Sequence, residues 1–194
     1  MKLAGLKVVV IFLLAALANA ASTPSPADQK ELRHFLKNTI NGSDSFEDRF
    51  AAEVWLVDMS GRLKPFIKDP KQRLDLLRSV HREATKAELK PDLVLALIQV
   101  ESSFNSYAIS RVGAQGLMQV MPFWKQEIGR PDDNLTDIDT NLSYGCRILQ
   151  FYLKKEDGNW MTALARYNGS YGKYWYPERV MDAWRKHWYI DDSL

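Results

Sequence analysis

The chain has 194 residues, 46% hydrophobic and 26% charged, with a net charge of +2 and a single cysteine, Cys146. That length suffices for one domain with a real core, or a domain with a small extension, and the composition is that of a globular protein. The slight basic excess makes no case for nucleic acid, although its sign weakly suits an anionic polymer, and one cysteine excludes an intramolecular disulfide.

Residues 1–20 read as a secretory signal peptide. Lys2 and Lys7 form the positive end, and "VVVIFLLAALA" (Val8 to Ala18) is an apolar run too short to span a bilayer. Ala18-Asn19-Ala20 makes a cleavage site. Cleavage after Ala20 leaves no membrane span in the mature chain. Export without a disulfide framework fits a bacterial periplasm. The Asn-x-Ser/Thr matches at Asn41, Asn134, Asn141 and Asn168 are chance in that setting.

Residues 21–29 are a polar linker. Beyond it the periodicity is helical throughout, so the expected fold is all-α. In "SFEDRFAAEVWLVDM", Phe46, Phe50, Val54 and Val57 share one face. Asp69 is placed to cap the next helix, with Pro70 at its first position and Leu74, Leu77, Val80, Ala84 and Ala87 as its stripe. Pro91 starts another helix. Gly113 and Gly116 mark a turn, after which "LMQVM" is expected to resume helix. Residues 131–140 are a loop with capping acids. "NLSYGCRILQFYLKK" offers Leu142, Gly145, Leu149 and Tyr152 as a stripe, and "NWMTALARYN" and "PERVMDAWRKHWY" form the last two helices. An N-terminal helical region, 30–88, thus leads into a compact helical core, 89–190.

The segment "LVLALIQVESSFNSYAISRVGAQGLMQVMP" (Leu93 to Pro122) carries the chemistry. A helix apolar on nearly every side is a buried one. Glu101 continues the face of Leu93 and Leu97 and sits near the helix C-terminus. Burial and the macrodipole both disfavour its charge and raise its pKa, as a general acid requires. The alternative is that Glu101 frays into solvent, and the pattern alone leaves both open. Ser102, Ser103, Asn105 and Ser110 suit sugar hydroxyls and acetamides, and equally suit helix termination and turns. Gln119, three residues past Gly116, could aim its amide back at the same cleft.

Other candidates are weaker. Asp132, Asp133, Asp137 and Asp139 read as solvated acids and helix caps, and Glu127 and Glu178 have no matching context. His34, His81 and His187 lack ligand spacing, so no metal, cofactor or histidine-based nucleophile is expected. Tyr171, Tyr174 and Trp175 are read as groove-lining rings, whereas Trp184 and Trp188 fit a core. Arg179, Arg185, Lys186 and His187 read as a solvated basic face.

"ESSFNSYAISRVGAQGLMQVMP" resembles the signature of lytic transglycosylases of the soluble lytic murein type, whose catalytic domain is lysozyme-like. "NLSYGCRILQFYL" and "ALARYNGSYGKYW" resemble two further blocks of that family, so the likeness covers about 85–175. It implies a lysozyme-like helical domain that cleaves peptidoglycan between N-acetylmuramic acid and N-acetylglucosamine. Glu101 would be the single acid/base, closing a 1,6-anhydro ring without water. Ser110 would contact substrate near the scissile bond, Met118 and Gln119 would line the groove, Tyr167 would sit by the acid, and Asn168 would order its loop. Ser102, Tyr171, Tyr174 and Trp175 complete the expected substrate-binding set. The partners implied are glycan strands, with cell-wall or secretion-machinery proteins as candidates. A goose-type lysozyme and a non-catalytic wall-binding protein are the rival readings. The chain departs from the family pattern at Ser106, Arg166 and Ser170, which bears on groove shape rather than on the acid.

Overall fold

The computed structural model describes residues 49–190, all within one compact unit, Leu36–Leu194. The expected signal peptide and linker, with Phe46 and His34, lie outside the described residues. Among the described residues the architecture is helical, with isolated antiparallel bridges at Ile109–Gln115 and Gln115–Val120 and no strand. None of these helices is long and apolar enough to cross a membrane.

Helix α1 spans Arg49–Leu63 and α2 spans Pro70–Lys86. The stripe expected on α1 faces the wrong way. Phe50, Val54 and Val57 are 76%, 54% and 51% exposed, while Ala52, Leu56, Met59 and Leu63 are fully buried. Both sets recur at helical spacing, so the sequence presents two apolar faces. The one with the long, adaptable Leu and Met side chains is the one that packs. On α2 the expected stripe is buried in full. Asp69 accepts a hydrogen bond from the Gln72 amide at 2.7 Å, and Pro70 takes the first turn, where its missing N–H costs nothing.

Helix α3, Pro91–Ser102, is central: it packs against α2 and against the C-terminal helix and turn. Leu93 to Ile98 are all buried, at 1% exposure or less. Burying each Leu, Ile or Val side chain contributes about 1.5–3 kcal/mol. Two tryptophans fasten its ends. Trp184 Nε1 donates to Asp92 Oδ2 at 2.7 Å, and Trp188 Nε1 donates to Gln99 Oε1 at 2.6 Å. Asp92 carries its charge in the first turn, where the macrodipole favours it.

A short helix α4, Trp124–Ile128, precedes α5, Ile138–Lys155. Asp137 caps α5 by accepting from the Thr140 amide at 2.9 Å. Leu142, Gly145 and Leu149 of its expected stripe are buried and Tyr152 is half-buried. Helix α5 lies against α2 and α6, and α6, Trp160–Asn168, lies against α7, Trp175–Ala183. Helix α7 begins two residues before Pro177, because proline is tolerated in a first turn. The chain then widens into a π-helical turn, Trp184–Trp188, where the expectation was continuous α-helix. Arg62 of α1 donates to the carbonyls of His187 and Tyr189, both at 3.1 Å, closing the end of that turn.

Candidate active site

Glu101 lies in the last turn of α3 and is half-buried, so it does not fray into solvent. The helix stops two residues later because Ser103 enters the left-handed region at φ 50°. Burial raises the Glu101 pKa to about 7, against the lowering pull of a Tyr176 hydrogen bond and the Arg179 charge. The Tyr176 hydroxyl donates to Glu101 Oε1. Tyr176 itself is 2% exposed, and burial with the adjacent carboxylate holds its phenol well above the usual range.

The segment after α3 folds back beneath the acid. Ser102 Oγ donates to the carbonyls of Ile98 at 3.2 Å and Leu117 at 2.8 Å, tying the helix end to the returning strand of chain. Ser110 forms a turn: its hydroxyl accepts from the Ala114 amide at 3.0 Å, and its carbonyl accepts from the Gly113 amide at 3.0 Å. "LMQVM" is not helical. Gln115 and Val120 exchange two backbone hydrogen bonds of 2.9 Å, and Gly116 and Gln119 sit at φ 74° and 48°. A left-handed Gln119 cannot belong to an α-helix. Its side-chain amide nevertheless turns back, donating to the carbonyls of Gly116 at 2.9 Å and Ala108 at 3.2 Å.

Asn141, 1% exposed, organises this turn. Its Oδ1 accepts from the Met118 amide at 2.8 Å, and its Nδ2 donates to the carbonyls of Gln115 and Leu135, both at 2.8 Å. Two glycines make the fit possible. A Cβ on Gly116 would collide with Asn141 and the Leu135 carbonyl, and one on Gly145 would lie 2.7 Å from Met118 Cβ. The Met118 side chain is fully buried, which corrects the expectation that it lines the groove. Its contribution is a carbonyl, which accepts from the Tyr167 hydroxyl at 2.7 Å. Burial raises the Tyr167 phenol well above its ordinary value, and the Glu101 charge adds to this, so Tyr167 stands close to the acid.

Glu101 thus sits among Tyr167 from α6, Tyr176 from α7 and the Met118 turn. Asn168 ends α6 and is exposed, and Gly169 at φ 76° stops the helix. Tyr171, Tyr174 and Trp175 are exposed by 58%, 56% and 51% on the segment joining Tyr167 and Tyr176. The Arg166 guanidinium lies 3.8 Å from the Tyr171 ring centroid while pairing with Glu156. Trp188 is fully buried and Trp184 half-buried, as expected for a core.

Of Asp132, Asp133, Asp137 and Asp139, all but the exposed Asp132 have structural work. Asp133 accepts from the Tyr144 hydroxyl and the Arg130 amide, Asp137 caps α5, and Asp139 meets Arg82 at 2.7 Å and Ser79 at 2.6 Å. Glu127 and Glu178 are exposed. Among the described residues no group of three or more His, Cys, Asp and Glu is placed to hold a metal ion. The described surface carries grooves of about 770 and 660 Å³. One is lined by Arg82, Lys86 and Arg147, the other by Asp75, Phe104 and Tyr107, and Glu101 lines neither.

Three participants escaped sequence reasoning. Tyr176 was one ring among many, although it stands next to Trp175 in an aromatic run. Asn141 was visible only as part of a resembling block. Arg179 was grouped with solvated bases, although it lies three residues after Tyr176 and so shares its helical face.

The family model described as transglycosylase SLT domain matches residues 78–183. Membrane-bound lytic murein transglycosylase C of Yersinia pestis (strain Pestoides F) is 33% identical over 109 residues, covering 48% of this chain and 30% of that protein. The protein of the same name from Yersinia pseudotuberculosis serotype O:1b (strain IP 31758) gives the same values. The chain thus spans 30% of the length of these curated relatives. Among solved structures, an inactive mutant of lytic transglycosylase Slt from Pseudomonas aeruginosa shows a TM-score of 0.45 at 23% identity, covering 81% of this chain and 30% of that one. The 70 kDa soluble lytic transglycosylase from Escherichia coli gives 0.44 at 21% identity, covering 81% and 29%.

Proposed function

Because the chain belongs to the transglycosylase SLT domain family, we propose that it is an exported lytic transglycosylase that cleaves peptidoglycan with Glu101 as its only acid/base. The observation that carries this reading is a buried carboxyl poised at a pKa of about 7 beside an array of turns and exposed rings. A carboxyl half-protonated near neutral pH can give a proton and later take one back. The relatives' names, which specify murein and lytic transglycosylase, support the substrate class.

Tyr176 donates to Glu101 Oε1, which leaves Oε2 for the acidic proton. That proton passes to the oxygen linking N-acetylmuramic acid to the next N-acetylglucosamine, and the C1–O bond breaks. The Tyr176 bond and the Arg179 charge then favour the newly ionised carboxylate. The C6 hydroxyl of the muramoyl residue attacks C1, its proton returns to Glu101, and a 1,6-anhydro ring closes. Atoms balance without water. Of the acids near the site in sequence, Asp137 caps α5, Asp139 pairs with Arg82, and Glu127, Asp132 and Glu178 are exposed, which favours one carboxylate over the usual two. The signal peptide of residues 1–20 would deliver the chain to the periplasm, where its substrate lies.

The reading is tested with purified sacculi. The full chain is expected to release soluble muropeptides, and Glu101→Gln to lose nearly all turnover while still sedimenting with the wall. Full turnover by Glu101→Gln would remove Glu101 from its role. No release by the wild type would favour a non-catalytic wall-binding protein.

A further inference from the structure

Arg179 is exposed on α7 and forms no hydrogen bond or ion pair among the described residues. Its position is nonetheless specific. It follows Tyr176 by three residues, so both side chains leave the same face of the helix. Tyr176 is buried and fixed by its bond to Glu101 Oε1, so that face is directed at the acid. The charge of Arg179 is felt at Glu101. Two other exposed cations stand on the segments that build the site, again without ion pairs among the described residues: Arg111 next to Ser110, and Lys173 between Tyr171 and Tyr174. Other cations are committed, Arg62 to Asp58, Arg82 to Asp139, Arg166 to Glu156 and Arg185 to Asp182, whereas Arg147 on α5, away from these segments, is also exposed and without an ion pair among the described residues.

An unpaired guanidinium beside a buried acid has a planar fork of donors to offer, and a carboxylate is the group that fits it. Murein carries carboxylates at two places near the scissile bond, on the lactyl ether of a peptide-free muramoyl sugar and on the stem peptide. We infer that Arg179 is a specificity-determining residue of the glycan site, binding a carboxylate of the muramoyl unit whose glycosidic bond Glu101 protonates. This rests on the function proposed above and adds what distinguishes murein from a neutral N-acetylglucosamine polymer. Glu178, adjacent in sequence, points about 100° away around the helix and leaves the fork open.

The test compares binding of three probes to the full chain carrying Glu101→Gln, which holds glycan without cutting it. The probes are chitohexaose, which is neutral; a murein strand stripped of peptide, which keeps the lactyl carboxylate; and a peptide-bearing strand. Adding Arg179→Met is expected to weaken carboxylate-bearing strands about tenfold or more, as for a lost charge-assisted hydrogen bond, and chitohexaose less than about twofold. Arg179→Lys, which keeps charge but not the fork, should fall between. Loss only on the stripped strand places the carboxylate on the lactyl group, loss only on the peptide-bearing strand places it on the stem, and loss on both means that the fork takes either. Arg147→Gln, the same charge change on α5, should leave all three affinities unaltered. Equal weakening of chitohexaose, or no weakening of either murein strand, overturns the inference, as does a parent chain that binds all three alike. Muropeptide release by wild type, measured in parallel, separates such a failure from failure of the functional reading itself.

Discussion

Tyr176 and Glu101, 75 residues apart in sequence, meet through one hydrogen bond from the phenol to Oε1. Burial drives the Glu101 pKa up, and this bond limits the rise. Removing the donor should therefore raise the pKa further. Tyr176→Phe is expected to move the limb of the pH–rate profile that reports Glu101 to higher pH. It should also lower kcat about ten- to a hundredfold, because the ionised state formed during turnover loses a charge-assisted bond. Measuring kcat from pH 4 to 9 checks both. An unmoved limb would mean that the phenol does not act on the acid.

The same poised carboxyl has a cost in stability. The pKa of Glu101 in the folded chain, about 7, lies above its ordinary value of 4.5. The folded state therefore holds more protons than the unfolded state between those values, and stability falls as pH rises through that window. The favourable balance is fully present below about 4.5 and lost above about 7, a swing on the order of 3 kcal/mol. Glu101→Gln does not titrate. Relative to wild type, it should gain stability between pH 4 and 8 by up to roughly that amount, with no further gain above. Urea unfolding of both chains at pH 4, 6 and 8 reads this directly. A constant difference across pH would place the carboxyl in water.

Asn141 uses one side chain to hold Met118, Gln115 and Leu135. Asn141→Leu strands the Met118 amide and the Leu135 carbonyl, and leaves the Gln115 carbonyl with the Val120 amide alone. It should cost about 3 kcal/mol or more and release the turn that presents the Met118 carbonyl to Tyr167. Thermal unfolding and turnover should fall together. A Tm within a degree of wild type would show that the turn holds itself.

Gly145 faces Met118 so closely that an added Cβ would sit 2.7 Å from the Met118 Cβ. Gly145→Ala is expected to cost about 1–3 kcal/mol through overpacking, offset in part by the helix propensity of alanine. Trimming the partner with Met118→Ala should make the two changes non-additive in a double-mutant cycle. Strict additivity would mean that the two residues do not press on one another.

The helices were legible where a single face was apolar. On α2 the stripe, cap and first proline all agree with the structure, and on α5 the cap and the first three residues of the stripe do. On α1 two faces compete, and periodicity cannot choose between Phe50-Val54-Val57 and Leu56-Met59-Leu63 without a neighbour to pack against. "LMQVM" has helical composition, but Asn141, 23 residues from Met118, captures its amide and holds a turn with Gln119 left-handed. Local propensity gives way there to a buried side chain from another helix. The raised pKa of Glu101 followed from the apolar run before it, whereas its two regulators did not. Tyr176 and Arg179 reach the acid only because α7 packs on α3, and a contact made by packing leaves no mark in the spacing of either segment.

The central claim is that one buried glutamate serves as both acid and base, so that the muramoyl ring closes on itself. Mass spectrometry of muropeptides released from intact sacculi measures this most directly. The expected result is anhydro-muramoyl ends, lighter by one water than hydrolysed ends, from the wild-type chain and essentially none from Glu101→Gln. Predominantly hydrolysed ends, the product of a lysozyme, would contradict it.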